Sequence, residues 1–114
     1  MTSKLCIKTI SVQALKQLCD ENPDLHLIDI REPQEWAEVH IPGVRHIPKD
    51  QLVQTLTEQS LPLSQDIYLH CRSGMRSLAA AEQLIALGYQ SVYSVDGGIV
   101  AWANEGYPIT SFCN

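Results

Sequence analysis

The chain has 114 residues, of which 45% are apolar and 18% are charged, and its formal net charge is −5. This length allows one domain, residues 1–114, with a core of its own, and it excludes a second domain. The acidic balance excludes a nucleic-acid-binding surface, and the missing leader segment and membrane-length apolar run favour a cytoplasmic location.

The first half of the chain alternates short apolar runs with amphipathic segments. Residues 5–10 are predicted to form a first strand, and Ser11 is a suitable N-cap for a helix over residues 12–21. The elements predicted next are a strand at 25–30, a helix at 34–39 that starts behind Pro33, a strand at 44–47 and a helix at 51–59.

The second half contains the stretch on which the functional prediction depends. Residues 67–69 form a short apolar run that predicts a buried strand, and an Ala- and Leu-rich segment at 78–87 predicts a helix that ends at Gly88. A strand at 91–95 and a short helix at 99–104 follow. Because strands alternate with helices, we predict an α/β domain with a mainly parallel sheet and helices on both faces.

A polar loop joins the strand at 67–69 to the helix that follows it. The loop opens with Cys71 and contains Arg72 and Arg76, two of the four arginines in the chain. A strand that enters a helix through such a loop directs backbone N–H groups and the positive end of the helix dipole at one point. Ligands of parallel sheets bind beyond the carboxyl ends of the strands, where Cys71 lies. The loop is therefore predicted to be an anion site that contains a thiol.

The reactivity of this thiol depends on its ionisation. The thiolate is the nucleophile, and a free cysteine with a pKa of about 8.5 is only a few per cent ionised at neutral pH. The loop amides, the helix N-terminus and the arginines all favour the anion. Gly74 lets the backbone approach closely, Ser73 adds a neutral donor, Arg72 and Arg76 can bind an oxyanion, and Met75 is expected to line a sulfur pocket.

The spacing of the loop separates two chemistries that handle anions. Protein tyrosine phosphatases and dual-specificity phosphatases place five residues between their cysteine and arginine, and that loop encloses a tetrahedral phosphate. Only four residues separate Cys71 from Arg76. The smaller ring of amides fits one extra sulfur atom on Cys71 better than a phosphoryl group, and the loop contains no evident acid for an alkoxide leaving group.

The other cysteines, Cys6, Cys19 and Cys113, are widely spaced and form no C-x-x-C motif. Neither structural disulfides nor a metal site is therefore expected, and no cofactor is predicted. Cys19 falls on the apolar face of its helix and is expected to be a small buried residue. A resolving role of Cys113 toward Cys71 stays open.

Several polar residues near the predicted strand ends are expected to be structural. His70 should face away from the loop, because neighbouring strand residues point to opposite faces of a sheet. Asp29 and Arg31 are expected to form an ion pair that braces the fold. His40 and His46 have no partners at metal-ligand spacing and are interpreted as structural.

With these motifs in place, the chain resembles the single-domain rhodaneses, the thiosulfate sulfurtransferase family. The resemblance runs in order from about residue 27 to residue 108, most of the chain. Its motifs are Leu27-Ile28-Asp29-Ile30-Arg31-Glu32-Pro33 with Glu35-Trp36, His40-Ile41-Pro42-Gly43 with Ile47-Pro48, Cys71-Arg72-Ser73-Gly74-Met75-Arg76-Ser77, Ala80 and Leu84 with Gly88-Tyr89, Gly97-Gly98 with Trp102, and Gly106-Tyr107-Pro108.

The resemblance implies a fold and a reaction. The family's fold is a five-stranded, mainly parallel sheet flanked by helices. Its loop cysteine attacks the outer sulfur of thiosulfate, releases sulfite and becomes a persulfide, from which cyanide, a thiol or a protein acceptor removes the sulfur. By position, Cys71 would be the nucleophile and residues 72–76 the substrate cradle.

Two alternatives remain at this point. The domain could serve mainly as a sulfur carrier or interaction module for a protein partner, with thiosulfate incidental, because the loop indicates that sulfur can be loaded but not who supplies it. A cysteine-based phosphatase is the less favoured alternative. No nucleic-acid or membrane partner is expected.

Overall fold

In the computed structural model of the chain, which describes residues 7–111, five strands form one sheet in which all neighbouring strands are parallel. The elements follow in the order β1 (Lys8–Ile10), α1 (Val12–Glu21), β2 (Leu27–Asp29), α2 (Pro33–Glu38), β3 (Arg45–His46), α3 (Lys49–Glu58), β4 (Asp66–His70), α4 (Met75–Ala86), β5 (Ser91–Val95) and α5 (Gly98–Asn104). The strand order β1-β5-β4-β2-β3 places β4 at the centre. The predicted α/β class and parallel sheet are confirmed.

The core consists of two clusters, one on each face of the sheet. Successive residues of β4 alternate between them, as the pleat of a strand requires. Ile67 and Leu69 pack with buried residues of α3 and α4, whereas Tyr68 packs with residues of α1 and α5 such as Leu15 and Trp102. The helices therefore cover both faces. None of the helices within residues 7–111 is long and apolar enough to span a membrane.

The predicted helix boundaries agree best with the structure where a side-chain N-cap fixes the start of the helix. Helix α1 covers the predicted residues, and its N-cap Ser11 accepts a hydrogen bond from the Ala14 N–H at 3.1 Å. Helix α4 begins three residues earlier than predicted, at Met75, because Gly74 adopts a left-handed φ of +105° and becomes its N-cap. Residues 75–77 of the predicted loop are thus the first turn of a helix.

The N-terminus of α5 holds the backbone at the end of β4. The Ile99 N–H donates to the Cys71 carbonyl at 2.9 Å, and the Val100 N–H donates to the Arg72 carbonyl at 3.1 Å. This approach leaves no room for a side chain at Gly98, where a Cβ would lie 2.4 Å from the Cys71 oxygen. The loop after β4 is thereby attached to a second element of the fold.

We predict that Gly98→Ala destabilises the fold by about 1–3 kcal/mol more than Gly43→Ala, because only the former overpacks against backbone. Both glycines have positive φ, +56° and +81°, so both variants carry backbone strain, but a Cβ at Gly43 would have nothing within 4 Å. Urea unfolding of the two variants measures the difference. Equal losses would show that the contact with the loop carbonyls is not what requires glycine at position 98.

Candidate active site

Cys71 is the first residue beyond the central strand, and its side chain is almost completely buried, with the residue 1% exposed. The Gly74 N–H donates to its Sγ at 3.1 Å, and the Ser77 hydroxyl oxygen lies 3.7 Å from Sγ. The left-handed conformation of Gly74 folds the loop back so that this N–H faces the sulfur. The sulfur lies inside a ring of donors at the N-terminus of α4.

These donors set the ionisation of the thiol. Burial raises the pKa of Cys71, but hydrogen bonds from the Ser77 N–H and hydroxyl, and from the N–H groups of Gly74 and Ser73, outweigh burial and leave the pKa below its ordinary value. Hydrogen bonds to the charged form favour that form even in a buried site. A larger fraction of Cys71 is therefore thiolate at neutral pH than for a free cysteine.

A pair of buried serines stands behind the sulfur. The Ser77 hydroxyl lies 2.7 Å from the hydroxyl of Ser94 on β5 and 3.1 Å from the Gly74 carbonyl. Each hydroxyl has one hydrogen. When Ser94 donates to Ser77, the hydrogen of Ser77 is left for the thiolate or for the Gly74 carbonyl. Sequence reasoning missed Ser94, although a serine between apolar residues of a buried strand is the signal that could have found it.

The two arginines of the loop have different environments. Arg76 forms a two-pronged ion pair with Glu35 of α2, with Nη1–Oε1 and Nη2–Oε2 distances of 2.9 Å each. The hydrogen bonds from Arg76 lower the pKa of Glu35 to about 2, and Glu35 in turn raises the pKa of Arg76. Glu35 also accepts the Glu32 N–H at 2.9 Å, which fixes its orientation. The charge of Arg76 is therefore neutralised, and Glu35 is a site residue that sequence reasoning missed.

Arg72 and the other loop residues lie at the mouth of the site. Arg72 is exposed, and its guanidinium has no hydrogen-bond or ion-pair partner within residues 7–111. Ser73 is exposed as well, and its backbone N–H lowers the pKa of the Cys71 thiol. Met75 is 73% exposed, which corrects the expectation that it lines a buried sulfur pocket: as the first residue of α4 its side chain lies toward solvent.

A buried charged group supports the strand ends below the loop. Arg31 binds both carboxylate oxygens of Asp29, with an Nη2–Oδ2 distance of 2.7 Å, and also donates to the Val39 carbonyl at 2.6 Å. The predicted ion pair is thus confirmed. The residues of this pair are at most 3% exposed, so it is screened little by solvent.

His70 is completely buried beside this ion pair. Its Nδ1 lies 3.2 Å from the Cys71 carbonyl, and because a carbonyl only accepts, Nδ1 carries the hydrogen. Its Nε2 lies 3.6 Å from Asp29 Oδ2 and makes no hydrogen bond to any residue that the structure describes. Burial lowers the pKa of His70, so the ring is neutral at neutral pH. It contacts the backbone of Cys71 and not its sulfur.

His40 and His46, which were expected to be structural, pack against one aromatic ring. The Trp36 ring stacks on the rings of His40 and His46, at centroid distances of 3.7 and 4.8 Å. No group of three potential metal ligands occurs in the part of the chain that the structure describes.

Cys19 does not contribute to the site described here. Cys19 is only half-buried and lines a separate cavity of about 310 Å³, and burial raises the pKa of its thiol. Cys113 lies outside the described residues.

Comparisons with known proteins point to one family. The family model described as "Rhodanese-like domain" matches residues 11–105. A protein named sulfurtransferase from Allochromatium vinosum is 35% identical over 105 residues, which cover 92% of this chain and 96% of the relative. The putative sulfur carrier protein YrkF of Bacillus subtilis is 36% identical over 99 residues, 87% of this chain but only 52% of the relative.

A solved structure extends the similarity to the fold. The crystal structure of a rhodanese-like domain protein from Staphylococcus aureus superimposes with a TM-score of 0.77 and 32% identity, and the match covers 92% of this chain and all of that one. The fold described above is thus a rhodanese-like fold.

We predict that Ser77→Ala raises the pKa of Cys71, because the variant loses the hydroxyl that bonds to the sulfur. A lost hydrogen bond to an anion corresponds to about 1–2 pKa units. The pH dependence of alkylation by iodoacetamide measures the shift. Ser73→Ala is the matched control, since Ser73 acts through its backbone N–H, and an equal shift in both variants would contradict a role of the Ser77 hydroxyl.

We also predict that Glu35→Gln lowers the free energy of unfolding by about 0.5–1 kcal/mol at neutral pH, as expected for a partly exposed ion pair. The pKa of Glu35 is depressed in the folded state to about 2, so its contribution is fully present above its unfolded pKa of about 4.3. That contribution is lost as the pH falls through about 2.

Urea unfolding at several pH values measures the difference between the wild type and Glu35→Gln. We expect it to be constant from pH 5 to 7 and to shrink below about pH 4.3. Glu82→Gln on the exposed face of α4 is the matched control, with no such dependence expected. A difference that persists unchanged at pH 2 would contradict the ion pair as its cause.

Proposed function

This chain belongs to the rhodanese-like domain family, and we propose that it is a sulfurtransferase that carries sulfane sulfur as a persulfide on Cys71. The observation that carries the proposal is the buried Sγ at the end of β4, which hydrogen-bond donors surround and whose pKa is depressed. The 35% sequence identity to the A. vinosum sulfurtransferase, over 96% of that protein, supports the proposal.

The first half of the proposed reaction loads the sulfur. The Cys71 thiolate attacks the outer sulfur of a donor, for which we propose thiosulfate. A new S–S bond forms at Cys71, the S–S bond of thiosulfate breaks, and sulfite leaves with the electron pair. The Gly74 N–H and the Ser77 hydroxyl, which stabilise the thiolate, also stabilise the negative charge of the persulfide.

Arg72 is the proposed site for the oxyanion end of the donor. Glu35 already neutralises Arg76, whereas Arg72 is exposed and adjacent to Cys71, and its guanidinium has no partner in residues 7–111. Guanidinium groups bind oxyanions through charge-assisted hydrogen bonds. Arg72 therefore serves as the anion-binding group, and Arg76 as a positioning residue that connects the loop to α2.

The second half of the proposed reaction discharges the sulfur. A nucleophilic acceptor such as cyanide or a thiol attacks the terminal sulfur of the persulfide, and the Cys71 thiolate leaves, stabilised by the same donors. No redox cofactor is needed, because the sulfur is transferred with its electrons balanced at each step. Cys19 and Cys71 are both free cysteines, which fits a reducing, cytoplasmic setting.

A carrier role is the second candidate. The similarity to YrkF, whose name is putative sulfur carrier protein, favours a domain that receives and delivers sulfur to protein partners. In that case thiosulfate turnover would be slow, and loading by a protein donor such as a cysteine desulfurase would be fast. Both candidates use the same persulfide and differ in the donor.

We predict that the wild type forms thiocyanate from thiosulfate and cyanide, and that Cys71→Ala lowers this rate at least about a thousandfold, because the nucleophile is removed. The intact mass of the wild type should increase by one sulfur atom with thiosulfate and lose it again with cyanide. Cys19→Ser is the matched control and should keep both properties, since Cys19 lines a separate cavity.

The outcomes of this experiment separate the candidates. Substantial thiocyanate formation by Cys71→Ala would overturn the proposal. A wild type that takes up no sulfur from thiosulfate but rapidly takes it up from a desulfurase would favour the carrier role. A wild type that takes up no sulfur and hydrolyses an aryl phosphate would indicate a phosphatase.

A further inference from the structure

A cleft of about 330 Å³ opens beside the Cys71 loop. Arg72, the residue after Cys71, lines it, and so does Ile99, whose N–H binds the Cys71 carbonyl. The volume lies at the lower end of the range for small-molecule sites, about 300–1,000 Å³. The transfer of a single sulfur atom requires no cleft of this size.

Two guanidinium groups supply the cationic part of this cleft. The side chain of Arg31 is only 4% exposed, and its Nε and Nη2 are bonded to Asp29 and to the Val39 carbonyl. Its third nitrogen, Nη1, has no hydrogen-bond partner within residues 7–111, although Arg31 lines the cleft. Arg72 is the second group, exposed and likewise unpaired in that part of the chain. Guanidinium groups donate charge-assisted hydrogen bonds, so this part of the cleft favours a ligand with an oxyanion group.

One carboxylate in the same cleft is also available. Glu35 lines the cleft, but Arg76 neutralises it. Glu38, the last residue of α2, is exposed, and its carboxylate has no hydrogen bond or ion pair with any described residue. Since Asp29 balances the charge of Arg31, the cleft contains one unbalanced positive charge, at Arg72, and one unbalanced negative charge, at Glu38.

The remaining wall is apolar and partly open to solvent. Val100 and Ile109 line the cleft and are 43% and 45% exposed, so aliphatic surface is available to a ligand. Covering such surface releases water and favours binding by roughly 25 cal/mol per Å². The cleft thus combines a cationic group, an anionic group and an apolar surface beside the loop that contains Cys71.

We propose that this cleft binds the sulfur acceptor, and that the acceptor is a small zwitterionic thiol with one carboxylate and one ammonium group. The carboxylate binds Arg72 and Arg31 Nη1, the ammonium group binds Glu38, and the aliphatic part covers Val100 and Ile109. This inference rests on the proposed persulfide chemistry of Cys71, and it specifies the chemical class of the acceptor.

The transfer step balances without a further reagent. The thiolate of the acceptor attacks the terminal sulfur of the Cys71 persulfide, a new S–S bond forms, and the S–S bond to Cys71 breaks. Cys71 leaves as the thiolate that the Gly74 N–H stabilises. The product is the persulfide of the acceptor, and the enzyme returns to its starting state.

The first experiment measures binding without sulfur transfer. S-methyl-L-cysteine has both charges but no free thiol, 3-(methylthio)propionate has only the carboxylate, and 2-(methylthio)ethylamine has only the ammonium group. Each is titrated into the full chain while the methyl NMR signals of Val100 and Ile109 are followed. We expect these signals to shift and the zwitterion to bind about fivefold more tightly than either singly charged compound.

The variants Arg72→Gln and Glu38→Gln test the two charges separately. Each should weaken binding of S-methyl-L-cysteine about fivefold. Arg45→Gln and Glu82→Gln remove the same charges outside the cleft and should not. Absence of shifts in the wild type, equal weakening by the control variants, or no effect of Glu38→Gln would each overturn the inference.

The second experiment measures transfer. Thiosulfate-loaded protein is mixed with L-cysteine or with 2-mercaptoethanol, and loss of the added sulfur is followed by intact mass. The rate ratio of cysteine to 2-mercaptoethanol should fall about fivefold in Arg72→Gln and in Glu38→Gln. A protein that takes up sulfur but shows an unchanged ratio overturns this inference alone. A protein that takes up no sulfur from thiosulfate contradicts the proposed donor instead, and the binding experiment then still decides whether the cleft selects the zwitterion.

Discussion

The stabilisation of a buried sulfur anion is the interaction on which the rest of this structure depends. Burial alone opposes ionisation of Cys71, and the fold overcomes it with hydrogen bonds from the Gly74 N–H and from Ser77. That balance requires three elements at once: β4 delivers the cysteine, the left-handed Gly74 turns the chain, and α4 begins so that its first turn faces the sulfur. The neighbouring strand β5 contributes Ser94 behind that turn.

Most charged side chains around the sulfur form ion pairs within the fold, whereas Arg72 is exposed at the surface. Asp29 with Arg31, and Glu35 with Arg76, form pairs that connect β2 and α2 to their surroundings. Two pairs with balanced charges leave the local field to backbone amides and to the guanidinium of Arg72, which has no ion-pair partner among residues 7–111. In the reaction proposed above, the absence of a strong positive charge favours turnover, because a strongly positive pocket would retain the anionic product.

The sequence predicted the elements and the reactive residue better than it predicted the contacts. Caps and periodicity are local, and so α1 with Ser11 and strand β5 were predicted with their observed bounds. The start of α4 was misplaced, since the polar residues after Gly74 looked like loop and only their tertiary contacts show a helical turn. Pairs distant in sequence, such as Glu35 with Arg76, could not be identified because nothing local specifies which carboxylate reaches which arginine. Met75 was misassigned for a related reason: side-chain direction depends on the helix it begins.

The attachment of α5 determines which polar groups the loop can present. The Cys71 carbonyl accepts hydrogen bonds from the Ile99 N–H and from His70 Nδ1, and the Arg72 carbonyl accepts one from the Val100 N–H. Peptide groups have an oxygen on one side and a hydrogen on the other. Anchoring the Arg72 oxygen against α5 therefore leaves the Ser73 N–H, on the opposite side of that peptide plane, to act on the sulfur. The orientation of its peptide groups therefore makes the loop selective for anions. The carbonyl oxygens of Cys71 and Arg72 are hydrogen-bonded within the fold, and an incoming anion contacts N–H groups.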